Sequence, residues 1–427
     1  TAADDLKQIY QEYYGVNARI AYQEDIINQF AGGNDDPIAI RNYLEYVYET
    51  CPAPKLKGVT LMGSGTIDWR NYSGMANQKN QVMTIFNKAQ SATGGTFNSR
   101  SSSDQYYGYF NEINMPEIII GRIPIMNLSD WEIYKNKLIN YLNNKSGTWT
   151  NRVLMLADDF NYVSSITDTM HSMAIETIAA ALHVSAFKEK IFAQDYPLNE
   201  FKKKPEVNDL FVSKINEGAL LSIYMGHGDP VSVGDENYLR IEDMARLNNI
   251  DRLTAIFFGS CSVGRTDNPN IKSIAEYMIM NPGGGAIATI GALRDSYNNG
   301  NVTLMSELLT QSFNNRKSIG ESFMLTCQKP VNQSFNTNVY QLLGDPLLPI
   351  YGPERLNNII LEHTNGEDTD NFQARETVAA QGSFAHGSHG EAEIFVLDSQ
   401  RSYNVVSELA SVHVTVDGKN IFKGKST

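Results

Sequence analysis

Leu221-Ser-Ile-Tyr-Met-Gly-His-Gly-Asp-Pro230 runs from an apolar segment straight into a histidine held between two glycines. The segment Ala219-Leu-Leu-Ser-Ile-Tyr-Met225 has the nearly continuous apolar character of a strand buried on both faces, and the glycines mark the loop that ends it. The chain has only 7 histidines, so one at the end of a buried strand needs a reason. A structural histidine at the junction is the plain reading, and an acid/base group at an open sheet edge is the other.

Similar segments surround it. Val153-Leu-Met-Leu-Ala157, Leu253-Thr-Ala-Ile-Phe-Phe258 and Gly285-Ala-Ile-Ala-Thr-Ile290 are short and apolar, and helical patterns fall at 166–182, 271–280, 303–313 and 319–328. This alternation predicts an α/β fold with a parallel sheet covered by helices on both faces, whose chemistry collects beyond the carboxyl ends of the strands. The first 146 residues repeat the rhythm. Asp36-Pro37 caps and opens a helix to Glu49, Gly58–Met62 is a strand, and the apolar run 117–125 precedes the capping box Ser129-Asp-Trp-Glu132, which predicts a helix to Leu142. After Tyr351-Gly-Pro353 the texture changes. Loops are expected at 365–370 and 381–390, and antiparallel strands at 394–397 and 412–416, the latter ending in an Asp417-Gly418 turn. The expected organisation is two related α/β subdomains, 1–146 and 147–353, followed by an incomplete Ig-like β-domain over 354–427.

The segment 253–258 leads into Gly259-Ser-Cys261, so a cysteine ends one strand as His227 ends another, 34 positions apart. If the two strands are parallel neighbours, both side chains emerge on one edge. A free thiol is mostly protonated near neutrality; an adjacent imidazole lets the thiolate form and then returns a proton to a departing amine. Glycine beside the histidine allows close substrate approach, and exposed N–H groups can stabilise an oxyanion; those of Gly228 and Cys261 are the natural donors. The alternative is structural, since free cysteines are among the most buried residues.

Composition narrows the classes. With 427 residues, 42% hydrophobic and 32 glycines, the chain is globular and long enough for two or three domains. Its net charge of −13, without a basic cluster, argues against nucleic-acid binding. The 3 cysteines, Cys51, Cys261 and Cys327, include no CxxC pair, which excludes a disulfide scaffold and a cysteine-rich zinc site and leaves at least one thiol free. No segment has the uninterrupted apolar length of a membrane span, and Thr1 opens no secretory leader, although one removed beforehand is compatible with this start. The abrupt end at Lys425-Ser426-Thr427 reads as that of an excised fragment.

Gly226-His-Gly228 followed by Ser260-Cys261 resembles the histidine and cysteine blocks of caspase-like peptidases, and the surrounding sequence resembles the gingipain family of cysteine peptidases. Gly32-Gly33-Asn-Asp-Asp-Pro37-Ile-Ala-Ile-Arg41, Pro116-Glu-Ile-Ile-Ile-Gly-Arg122-Ile-Pro124 and Leu343-Gly-Asp-Pro346 are similar to recurrent blocks of that family in its usual order, over roughly residues 10 to 352. Cys261-Ser-Val-Gly-Arg-Thr-Asp-Asn-Pro269, Ile274-Ala-Glu276 and Asn281-Pro-Gly-Gly-Gly-Ala-Ile-Ala288 resemble its sortase branch, which serves bacterial type IX secretion. The resemblance implies a surface or secreted peptidase that removes a C-terminal sorting domain from secreted cargo and passes the new carboxyl end to a lipopolysaccharide amine. An outer-membrane β-barrel of the secretion system is then a further partner. The competing readings are a gingipain-like endopeptidase limited to hydrolysis and an inactive surface binding module. Two positions depart from the sortase pattern: Ser262 replaces an expected acid, and Thr266 an expected aromatic. The family also implies an acid that orients the histidine, for which Asp158, Asp159 and Asp168 are candidates.

Other signals carry less. Gly63-Ser-Gly65 follows a strand but lacks the rest of a phosphate loop, so a tight turn is expected. His386, His389 and Glu391 lie in a Gly/Ser-rich connector rather than on a helix, which disfavours a metal site. Asp229, Asp235 and Glu236 suit either a solvated acidic loop, a basic substrate or a structural Ca²⁺, and the chemistry requires no cofactor. Cys51 and Cys327 fall on amphipathic patterns and are expected to face the core.

Overall fold

The computed structural model describes residues 1–53, 55–74, 79–88, 100–111, 115–144, 146–159, 170–182, 186–330 and 336–352, and the backbone of six strands beyond residue 355. Three helices open the chain: α1 (Ala2–Tyr14), α2 (Gln23–Phe30) and α3 (Pro37–Thr50), the last capped by Asp36 with Pro37 in its first turn, as expected. There follow β1 (Gly58–Met62), the short pair β2 (Phe86–Lys88) and β3 (Arg100–Ser102), and β4 (Ile119–Ile123), which stops at Pro124 because proline has no N–H for a ladder. Helix α4 (Leu128–Asn143) starts earlier than its capping-box signal implied. Asn127, not Ser129, is the N-cap, its side-chain oxygen accepting the Asp130 N–H at 3.0 Å.

The second half contains β5 (Arg152–Ala157), α5 (His171–Ala180), β6 (Phe187–Phe192), α6 (Pro205–Glu217) and β7 (Leu221–Met225). The two-residue strands β8 (Ser232–Val233) and β9 (Leu239–Arg240) come next, then β10 (Thr254–Gly259), α7 (Ile274–Met280) and β11 (Ala286–Ala292). Helices α8 (Asn298–Leu309) and α9 (Ile319–Gln328) and strand β12 (Tyr340–Leu343) complete it. β6 lacks the apolar run of its neighbours, since Phe187-Lys-Glu-Lys-Ile-Phe192 carries three charges in six residues, and neither it nor α6 is among the expected elements. Helix α7 begins at Ile274 rather than 271 because Ser273 and Glu276 close a reciprocal capping box. Helix α8 begins at Asn298, ahead of the expected 303.

One eight-stranded sheet runs in the order β1-β4-β12-β11-β10-β7-β5-β6. It is parallel throughout except where β11 meets β12. β1, β4 and β12 therefore run in one direction and β11, β10, β7, β5 and β6 in the other. The segments 1–146 and 147–353 therefore share a sheet, β12 of the second pairing with β4 of the first at Leu343 and Arg122. Every residue of β5, β7, β10 and β11 is buried, in keeping with their nearly continuous apolar runs.

Beyond residue 355, β13 (Leu356–His363) pairs with β14 (Val378–Phe384), β15 (Ala392–Leu397) with β18 (Asn420–Ser426), and β16 (Arg401–Val406) with β17 (Ser411–Val416), all antiparallel. Residues 381–384, expected in a loop, extend β14. The expected loop at 365–370, the Asp417-Gly418 turn and the trio His386, His389 and Glu391 lie outside the described residues. Among the described residues no helix is long and apolar enough to cross a membrane.

Candidate active site

β7 and β10 are adjacent and parallel, with Leu221 opposite Ala255 and Met225 opposite Gly259. The register offset is therefore 34 residues (259 − 225), and the same offset carries His227 onto Cys261. Each residue lies two positions past its own strand, on strands spaced about 4.8 Å apart. The two loops touch: a Cβ added to Gly228 would stand 2.9 Å from Val263 Cγ1 and 3.1 Å from Ser260 Oγ, so only glycine fits that approach. Among the described residues, neither the Gly228 nor the Cys261 N–H has a protein acceptor.

A buried carboxylate fixes the histidine loop. Asp158, just past β5, accepts the His227 backbone N–H at 2.8 Å and the Tyr224 hydroxyl at 3.0 Å through Oδ2, and the Tyr238 hydroxyl at 2.7 Å through Oδ1. Tyr224 also reaches the His227 carbonyl at 2.7 Å. Asp158 thus engages the backbone of His227. Asp159 forms an ion pair with buried Lys204, and Asp168 lies outside the described residues. The buried His171, first residue of α5, packs edge-on against His227 with ring centroids 5.5 Å apart and planes at 89°. No sequence signal marked His171, which falls inside an ordinary helical pattern.

The cysteine loop is fixed from several directions. The Ser296 N–H donates to Cys261 Sγ at 3.4 Å. Desolvation pushes the Cys261 thiol above its ordinary pKa, opposed by hydrogen bonding from Ser296 and reinforced by Asp295. Ser262 sits in the left-handed region at φ 56°, and its N–H bonds the Arg294 carbonyl at 3.1 Å. Downstream, Arg294 holds buried Asp267 in a bidentate pair at 3.0 and 2.6 Å. Lys79, from the first half of the chain, donates to the carbonyls of Thr266 (3.0 Å), Asn268 (3.1 Å) and Ile271 (2.9 Å) and lies 3.4 Å from Glu276. The Thr266 carbonyl is therefore part of this lysine's cradle.

Comparisons with known proteins agree with this geometry. The sequence model of peptidase family C25 matches residues 1–351. The chain belongs to peptidase family C25. It is a cysteine peptidase with the gingipain fold. The crystal structure of the Arg-specific cysteine proteinase gingipain R is similar over 98% of this chain and 95% of that one, with 16% identity and a TM-score of 0.62. The complex of Porphyromonas gingivalis RgpB pro- and mature domains is similar over 97% of each chain, at 15% identity and a TM-score of 0.60. The dimeric latent PorU of Porphyromonas gingivalis matches 99% of this chain but 37% of its own, at 14% identity and a TM-score of 0.42, a level that carries no functional conclusion. No curated protein matches.

In this C25 peptidase the three acidic residues after His227 have different surroundings. Asp229 spends both carboxylate oxygens on its own turn, accepting from the N–H groups of Val231 and Ser232 and from the Ser232 hydroxyl. The Asp235 carbonyl accepts from Lys203, and Glu236 turns inward toward Asp158 and Asp159, their ligand atoms within 4.8 Å of one another. Gly63-Ser-Gly65, expected as a tight turn, instead carries the chain on alongside β4: the N–H groups of Gly63 and Ser64 bond the carbonyls of Ile123 and Ile125, leaving neither for phosphate. Cys327 is buried in the core and its thiol is pushed up to about 12 by burial, but Cys51 follows the end of α3 and is only half-buried.

Burial, then the charges of Asp159 and Asp158, raise the Glu236 carboxyl from 4.5 to about 7. Its folded pKa lies above its unfolded one. Its stabilising contribution is therefore complete below about pH 4.5 and is lost as pH rises through about 7. Glu236→Gln keeps the shape and removes the charge. Urea unfolding is expected to find the variant close to the native chain near pH 5 and more stable by about 2 kcal/mol near pH 8. An unchanged pH dependence in the variant would clear Glu236 of this role.

Proposed function

We propose that Cys261 is the nucleophile and His227 the general acid/base of this peptidase, with the Gly228 and Cys261 N–H groups as the oxyanion hole. The observation that carries this reading is the shared register, which sets the two residues at equivalent positions past adjacent parallel strands. The thiol gives its proton to His227 as sulfur bonds the scissile carbonyl carbon, and the oxyanion meets the two N–H groups. The C–N bond then breaks while His227 returns the proton to the leaving amine. Water or an amine attacks the resulting thioester, and its proton passes through His227 to the departing sulfur. Asp158 holds the His227 loop in place. No cofactor is needed; a structural Ca²⁺ would find its seat at the Asp158, Asp159 and Glu236 carboxylates, where Lys204 already supplies a cation.

We place the protein at the bacterial cell surface as a sortase for type IX cargo, cutting away the C-terminal sorting domain and passing the new carboxyl end to a lipopolysaccharide amine beside an outer-membrane β-barrel partner. The support is the run of sortase-like blocks from Cys261 to Ala288. The test is to incubate the protein with a cargo fragment carrying its sorting domain, with and without an amine acceptor, and to weigh the products. The expected product with acceptor is the amide. Hydrolysis alone at saturating acceptor would favour the gingipain-like endopeptidase, and an uncut, folded fragment the binding module.

A further inference from the structure

The turn between β11 and α8 presents one residue to the Cys261 sulfur. Ser296 donates its N–H to Sγ at 3.4 Å, and its carbonyl, 3.7 Å away, accepts from the thiol. A turn residue can pivot unless something outside the turn holds it. Here three buried side chains do so. Asn301 Nδ2 donates to Ser296 Oγ at 3.1 Å, and its Oδ1 accepts from Asn336 Nδ2 at 2.7 Å and from the Tyr340 hydroxyl at 2.6 Å. Asn336 brackets the next residue, donating to the Tyr297 carbonyl at 2.8 Å and accepting its N–H at 3.1 Å. The Tyr340 hydroxyl also lies 3.1 Å from the Phe258 carbonyl on β10, so the network closes a ring that starts and ends beside Cys261. Asn301, Asn336 and Tyr340 are 3%, 2% and 0% exposed. A Cβ on Gly300 would come within 2.6 Å of the Asn336 amide carbon, so glycine is what admits that side chain.

We propose that Asn301 and Asn336 are positioning residues that hold the Ser296 N–H on the Cys261 sulfur, making the turn after β11 a hydrogen-bond donor to the thiolate. This rests on Cys261 being the nucleophile. A donor of this kind favours the charged form of the sulfur, because hydrogen bonds to ionised acceptors are the strong ones. The other groups that bear on this sulfur are Asp295 on the same turn and the Tyr340 phenol from β12; His227, on the loop after β7, is its proposed partner in proton transfer, and nearby Arg294 is committed to Asp267.

The test is the pH dependence of Cys261 alkylation by iodoacetamide, read from the mass of the labelled peptide, with Cys51 as internal reference. Asn301→Ala is expected to move the midpoint up by about one pH unit and Tyr340→Phe by less, with the Cys51 profile unmoved. A folded Asn301→Ala with the native midpoint would overturn the proposal; a merely structural role lowers the melting temperature and leaves the midpoint alone. Where Asn301→Ala does not fold, Tyr340→Phe, which removes one hydroxyl, decides on the same readout. In the unmodified protein the Ser296 amide is expected to be protected from hydrogen exchange, and exchange at the rate of an open turn would also refute it. Alkylation needs no substrate, so peptidase activity that survived in Cys261→Ala would remove the nucleophile assignment without touching these readouts.

Discussion

Cys261→Ala is expected to lower kcat/KM by roughly 10⁴-fold or more while leaving the melting temperature nearly unchanged. The kinetic loss follows from removing the sulfur proposed to form the thioester, for which no other described cysteine can substitute: Cys327 is buried in the core, and Cys51 belongs to the end of α3. The fold should survive because the described hydrogen bonds at this sulfur are long ones to the Ser296 backbone, at 3.4 and 3.7 Å. His227→Ala should lose a comparable factor, and the double variant scarcely more, because the two act as a unit. Cleavage of a peptide substrate by purified variants measures all three. Activity in Cys261→Ala within tenfold of the native protein would sink the assignment.

Arg122→Met is expected to destabilise the protein by about 4 kcal/mol, a large share of the stability of an ordinary domain. Arg122 is 1% exposed on β4, and its guanidinium forms a bidentate pair with Asp104 at 2.7 Å on each branch. It also donates to the carbonyls of Gly63 (2.6 Å), Val82 (3.0 Å) and Met83 (3.2 Å), tying the turn after β1 and the 82–83 segment to the sheet. Removing it leaves the Asp104 charge buried with Gln341 as its remaining side-chain donor among the described contacts, at 2.8 Å. The penalty is the stranded charge more than the lost attraction. Adding Asp104→Leu should therefore recover part of the loss, and urea unfolding of the three variants measures it. A double variant less stable than Arg122→Met would contradict this account.

The sheet and its site were legible in part. Nearly continuous apolar runs at 153–157, 219–225 and 253–258 announced buried parallel strands, and all three are wholly buried. Strand β6 and helix α6 were not announced, because a strand with half its residues charged lacks the apolar run by which its neighbours are recognised. Helix starts slipped where the cap was chosen by local hydrogen bonding, as at Asn127. At the site, glycines and a strand-end cysteine singled out His227 and Cys261. Asp158 was among several candidate acids, but its bond to the histidine's backbone was not foreseeable, since that depends on where β5 lies beside β7.

From the sequence alone came the alternation of buried strands and helices, the loop glycines and the strand-end pair His227 and Cys261, all properties written over a few neighbouring residues. Tertiary structure decided the rest. The 34-residue spacing means nothing until β7 and β10 prove to be neighbours in a register of 34, and Ser296, Asn301, Asn336 and Tyr340 gather behind the thiol only because β11, α8 and β12 meet there. The physical reason is that hydrogen bonds and packing act over a few ångströms in space, whatever the distance along the chain, and the chain's own pattern records only the local part of that geometry.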